Sequence, residues 1–135
     1  MLRVIRAMVP NFIIKWYHLM FAYVAAWWYG HPSRSLVVIG VTGTHGKTSV
    51  VMMLGTVLES LGHHAGWFST ATVSDGSRTW LNNIKMTMPG RFVLQRFLRT
   101  CVRNECTYVV IETSSEGIAQ HRHRGIEYDV VVLTN

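Results

Sequence analysis

The chain has 135 residues, 49% of them apolar, which excludes a disordered tail and suffices for one domain with a buried core. The net charge is +6 with His neutral, which suits an anionic partner. The arginines form no single tract, so no nucleic-acid surface is read from them.

Cys101 and Cys106 are too few and too casually spaced for a disulfide framework or a zinc site. They read as ordinary thiols of a reducing, cytoplasmic setting, with a Cys-x4-Cys redox pair as the alternative. Residues 1–35 are expected to form an apolar helix and a connector. Within them, Asn11 to Tyr29 is apolar nearly all round and is bounded by Pro10-Asn11 and by Gly30-His31-Pro32. Lys15 and His18 interrupt it, and the uncharged remainder is shorter than the ~20 residues that a bilayer span needs. Three readings stay open. One is a helix packed on the following domain. Another is a peripheral membrane helix, with Trp16, Trp27, Trp28 and Tyr29 at headgroup level and Arg3, Arg6 and Lys15 facing anionic lipid. The last is a true span.

Leu36 to Ile39 is a short β-branched run of the kind that forms a buried parallel strand. Gly40-Val41-Thr42-Gly43-Thr44-His45-Gly46-Lys47-Thr48-Ser49 follows, and then a helical period. Strand, glycine-rich turn and Gly-Lys-Thr opening a helix make a phosphate-binding loop. The standard spacing wants Gly at position 41, where this chain has Val41, so the strict pattern fails while its physical parts are present. A turn that merely caps a helix is the competing reading. On the loop reading, Gly43 to Ser49 cradle a nucleotide with backbone N–H groups. Lys47 lies against the β/γ-phosphates, and the Thr48 hydroxyl holds Mg²⁺.

The helix from Lys47 to about Leu61 carries an apolar stripe of Val51, Leu54, Val57, Leu58 and Leu61, and Gly62 ends it. Trp67 to Val73 is the second strand, Ser74 to Ser77 a turn, and Arg78 to Leu81 a short return strand. Pro89 biases Met88 to an extended conformation. Arg91 to Val102 is a helix with Phe92, Leu94, Phe97, Leu98 and Cys101 on its buried face and Arg91, Arg96, Arg99 and Arg103 largely outside. Thr107 to Ile111 is the third strand, ending in Glu112. Ile118 to Arg124 is a helix or turn, and Tyr128 to Leu133 is the fourth strand. Strands alternating with helices predict an α/β fold, a P-loop-type parallel sheet with flanking helices over 36–135. Its ligand belongs at the carboxyl ends of the strands. Glu112, ending a strand beside the loop, is there the candidate second metal contact, against a charged strand end in solvent.

Gly-Thr-x-Gly-Lys-Thr after a strand, Thr-x-Pro, Glu-x-Ser-Ser, Gln-His-Arg and Asp-Val-x-Val-x-Thr-Asn occur in that order. Over residues 36–135 this series resembles the central ATP-binding domain of the Mur ligase family, in its UDP-N-acetylmuramoyl-tripeptide synthetase branch. The resemblance implies an ATP-dependent ligase that phosphorylates a carboxylate of a UDP-N-acetylmuramoyl-peptide and joins it to an amino acid. It implies Lys47 and Glu112 as catalytic residues. Thr48, Glu112 and Glu116 become Mg²⁺ ligands, and Thr87, Ser114, Ser115 and Arg122 contacts to the sugar nucleotide. For the hydroxyls, local caps or turn bonds are the alternative. Two residues depart from the family pattern: Glu116 stands where the family has His, and Met88 where it has a second Thr. The family's domain continues past Thr134-Asn135, so the chain is expected to be a fragment of a larger ligase or a partner of something else. The alternative function is a P-loop ATPase or nucleotide switch at a membrane surface.

Overall fold

The computed structural model describes residues 10–135. Helix α1 spans Asn11–Trp28, and a 3-10 turn at Pro32–Ser35 leads into β1, Val37–Thr42. Then come α2 (Lys47–Ser60), β2 (Ala65–Phe68), β3 (Thr72–Ser74), β4 (Thr79–Leu81), α3 (Arg91–Arg103), β5 (Tyr108–Glu112), α4 (Ser115–Ala119) and β6 (Val130–Leu133). Six strands form one sheet in the order β4-β3-β2-β5-β1-β6. The four strands β2, β5, β1 and β6 run parallel, while β3 and β4 are antiparallel additions.

Side-chain alternation along the strands divides the core. Val38, Phe68, Val109 and Ile111 meet Leu94, Phe97, Leu98 and Cys101 of α3 on one face. Val41, Trp67 and Val110 meet Val51, Leu54 and Leu58 of α2 on the other. Val110 and Glu112 are two residues apart, so Glu112 lies on the α2 face at the carboxyl end of β5. The pairing Val41↔Glu112 sets it beside the strand that feeds the glycine-rich loop.

Several expectations are corrected. The run from Trp67 to Val73 is not one strand: it breaks at Ser69-Thr70-Ala71 into an antiparallel hairpin. Ser69 closes that turn, since its hydroxyl donates to Thr72 O at 2.8 Å and accepts from Thr72 N–H at 3.0 Å. The first strand runs on to Thr42, because β5 and β6 pair it from both sides. The last starts at Val130, because Tyr128 turns into the core and Asp129 bonds back to Val38 through its Oδ2 and its N–H. Phe92, Val57 and Leu61 are exposed, and Gln95 takes a buried place on α3 by donating to Gly125 O at 3.0 Å.

Helix α1 packs against α3. Its inner face is small: Ala22, Ala25 and Ala26 are fully buried, and Phe21 meets Phe92 edge-on at 6.4 Å. Trp16, Trp27 and Trp28 remain about 70% exposed on the outside. No described helix is long and apolar enough to cross a membrane. Arg3 and Arg6, invoked for lipid contact, lie outside the described residues.

Helix α2 reaches the sheet through Gly55, where an added Cβ would lie 2.4 Å from the buried Trp67 ring. Alanine ordinarily favours a helix over glycine by ~1 kcal/mol. Here overpacking reverses the sign, and Gly55→Ala is expected to lower stability by about 1–3 kcal/mol, read from urea unfolding.

Candidate functional site

The loop between β1 and α2 is held at both ends by the segment after β6. Asn135 Oδ1 accepts from Thr44 N–H and from the Thr44 hydroxyl, each at 2.9 Å, and from His45 N–H at 3.3 Å. The Thr134 hydroxyl donates to His45 O at 2.7 Å, and Thr134 N–H donates to Thr42 O. Gly43 makes this approach feasible. Its φ is 138°, and a Cβ there would sit 2.1 Å from Thr134 Oγ1.

Lys47 curls back over the loop, and its Nζ donates to Gly43 O at 2.9 Å. The first bond of α2 runs from Val50 N–H to Gly46 O. The N–H groups of Lys47, Thr48 and Ser49 therefore have no intrahelical acceptor, as at any helix start. With the dipole of a 14-residue helix behind them, such N–H groups are of the kind that suit an anion.

Glu112 lies next to that helix start and is only 2% exposed. Both of its carboxylate oxygens are 3.0 Å from Thr48 Oγ1. Thr70, which the sequence reading passed over, donates to Oε2 through its backbone N–H at 2.7 Å and its hydroxyl at 3.1 Å. Among the described residues no basic side chain pairs with it. A buried carboxylate with hydroxyl and amide donors but no cation suits a hard divalent ion. Thr48 and Glu112 offer two oxygen donors side by side, a set that would fit Mg²⁺. No group of three or more His, Cys, Asp or Glu among the described residues makes a fuller metal cluster.

The other predicted residues fall into two groups. Thr87 is connected to Glu112 through Thr70, its Oγ1 lying 2.9 Å from that of Thr70. Glu116 is exposed on α4, where its carboxylate accepts from Gln120 Nε2 at 3.0 Å, and it shares no described hydrogen bond with Thr48 or Glu112. Ser114 caps α4 by accepting Gly117 N–H at 3.0 Å, so the local-cap reading applies to that oxygen. Ser115 is exposed at the first position of α4. Arg122 donates to Gln120 Oε1 from Nε at 3.0 Å and from a terminal nitrogen at 2.7 Å, and its other terminal nitrogen donates to Met88 O. Arg122 thus fastens the turn after α4 to the residue following Thr87. Met88 is a core residue, 1% exposed. A cleft of about 440 Å³ lies elsewhere, between the β3–β4 hairpin and α3, and none of the predicted site residues lines it.

Residues 41–135 match the Mur ligase middle domain. The chain belongs to the Mur ligase family. It is 33% identical over 132 residues to a UDP-N-acetylmuramyl-tripeptide synthetase of Roseiflexus sp. (strain RS-1), covering 96% of this chain and 26% of the relative. It is 36% identical over 136 residues to a UDP-N-acetylmuramoyl-L-alanyl-D-glutamate--2,6-diaminopimelate ligase of Chlamydia felis (strain Fe/C-56), covering 99% and 26%. A solved structure of a ligase of that second name superposes with a TM-score of 0.66 at 24% identity, over 74% of this chain and 20% of its own; this likeness speaks for the fold. The chain therefore spans about a quarter of the length of these Mur ligases.

Gly43→Ala is expected to pull Thr134-Asn135 off the loop. Amide exchange at Thr134, whose N–H is bonded to Thr42 O, should speed up by at least about tenfold by hydrogen-exchange NMR, because local opening then costs less. Unchanged protection at Thr134 would count against this account of the loop.

Proposed function

We propose that this chain is the ATP-binding part of an ATP-dependent ligase of peptidoglycan precursor synthesis. A carboxylate of a UDP-N-acetylmuramoyl-peptide is joined to the amine of an amino acid. The observation that carries the reading is the buried Glu112 carboxylate set against Thr48 at the start of α2, one residue from Lys47.

In the proposed reaction a carboxylate oxygen of the peptide attacks the γ-phosphorus of ATP, and the bond to the bridging oxygen breaks to release ADP. The amine nitrogen then attacks the acyl carbon of the resulting acyl phosphate. Phosphate leaves with the bonding pair, and the nitrogen loses a proton. Lys47 has to exchange its bonds to the Gly43 and Thr44 carbonyls for phosphate oxygens. It then offsets charge on the transferring group, together with the N–H groups at the start of α2. Mg²⁺, when bound by Thr48 and Glu112, supplies Lewis-acid neutralisation of the phosphates. Thr87, Ser114, Ser115 and Arg122 orient the sugar nucleotide. For Arg122 this means releasing Gln120, whose oxygen takes two of its donors. Glu116 joins the metal only if α4 brings it nearer to Glu112.

A nucleotide switch at a membrane surface, without ligase chemistry, draws mainly on the exposed tryptophans of α1. Family membership favours the ligase.

Lys47→Ala is the direct test. Loss of a charge-assisted contact to phosphate should weaken binding of a fluorescent ATP analogue about 10- to 100-fold. An unchanged affinity overturns the nucleotide reading. For the substrate class, UDP-N-acetylmuramoyl-dipeptide should raise the unfolding temperature of the wild-type chain in a concentration-dependent way. No shift at saturating sugar nucleotide would count against the assigned substrate.

A further inference from the structure

Thr70 stands at the tip of the β2–β3 hairpin and touches the candidate metal site and the candidate substrate segment together. Resting on the nucleotide reading above, we propose that Thr70 is a positioning residue. It aims the Glu112 carboxylate at the Thr48 hydroxyl and couples that carboxylate to Thr87.

The argument rests on proton counting. Thr70 Oγ1 is 3.1 Å from Glu112 Oε2 and 2.9 Å from Thr87 Oγ1. A hydroxyl has one proton to donate, and a carboxylate can only accept. The Thr70 proton therefore goes to the anion, and the Thr87 hydroxyl donates to Thr70. This gives a directed chain from Thr87 to Thr70 to Glu112, in which each donation polarises the next. Thr70 N–H supplies a second donor to the same oxygen at 2.7 Å, so Oε2 is held from one residue by two bonds.

The scaffold around the chain is built to keep this register. Asn82 is 7% exposed, and its Nδ2 donates to Ser69 O at 2.7 Å and to Met86 O at 3.1 Å. Its own N–H donates to Ala71 O at 2.9 Å. One residue thus clamps both neighbours of Thr70 and the residue before Thr87, Ser69 and Met86 through its buried side-chain amide and Ala71 through its backbone N–H. Met88, following Thr87, is anchored in the core and receives Arg122 at its carbonyl. A substrate group that takes the Thr87 hydroxyl as a donor withdraws it from Thr70. Occupation of the sugar-nucleotide segment is in this way communicated to the carboxylate that faces the metal.

The test is a Mg²⁺ titration at fixed fluorescent ATP analogue, with the full chain and with variants. Thr70→Val removes the hydroxyl and keeps the shape and the N–H. It should raise the Mg²⁺ concentration for half-saturation about tenfold, the size usual for loss of a residue that orients a metal ligand. Thr70→Ser restores the hydroxyl and should return to within about twofold of wild type. Thr87→Val should shift the curve in the wild-type background and add nothing in the Thr70→Val background, since its effect passes through the missing hydroxyl. A Thr70→Val curve that coincides with wild type overturns the proposal. So does a Thr87→Val effect that persists at full size without the Thr70 hydroxyl. If Thr70→Val does not fold, Thr87→Val decides alone: a displaced Mg²⁺ curve supports the coupling, and an unmoved one overturns it. A wild-type chain that binds neither Mg²⁺ nor the nucleotide overturns the parent reading as well, which separates the two failures.

Discussion

A carboxylate buried at the end of a central strand, with no cation beside it, is the constraint around which this fold is arranged. Removing a carboxylate from water is costly unless donors replace the lost hydration. Glu112 receives Thr48 from one side and Thr70 from the other. Both donors are uncharged, so the negative charge itself is unbalanced within the described chain. That imbalance is tolerable in a site that a divalent ion completes, and a hydrophobic core has no reason to keep it. Each partner depends on a different part of the fold: Thr48 on the start of α2, Thr70 on the β2–β3 turn, and Glu112 on the register of β5 against β1.

The glycine-rich loop shows a related dependence on distant residues. Its shape comes less from its own residues than from Thr134 and Asn135, which arrive after β6 and bond to Thr42, Thr44 and His45. The absence of a side chain at Gly43 is what lets these two segments meet. Lys47 is meanwhile bonded to the Gly43 and Thr44 carbonyls, so loop, lysine and closing dipeptide form one connected set of polar contacts.

The N-terminal helix illustrates how composition and placement separate. Its sequence is apolar on nearly every side, yet only Ala22, Ala25 and Ala26 are fully buried, and the tryptophans stay outside. Phe21 meets Phe92 of α3, while Ala22 and Ala26 lie so close to Gly125 that a Cβ there would not fit. Trp16, Trp27 and Trp28 leave an exposed aromatic surface on the outer side of this helix.

Local chemistry determined much of this protein. Glycine spacing, a lysine and a hydroxyl at a helix start, and β-branched runs ending in Glu112 were enough to indicate the parallel sheet, the glycine-rich turn between a strand and a helix, and the nearness of Thr48 to Glu112. These are features of short range and fixed period, and they survive in a linear reading. The tertiary structure alone decided the hairpin at Ser69-Thr70-Ala71, and with it the place of Thr70, because a turn without glycine or proline leaves no mark in the periodicity. It likewise decided that Asn135 closes the loop some 90 positions earlier in the chain, that Met88 is core, and that Arg122 is tied to Gln120 and Met88. Apart from the Arg122–Gln120 pair, these contacts join residues far apart in sequence, and only the pairing of β6 beside β1 and the packing of Met88 into the core bring them within reach.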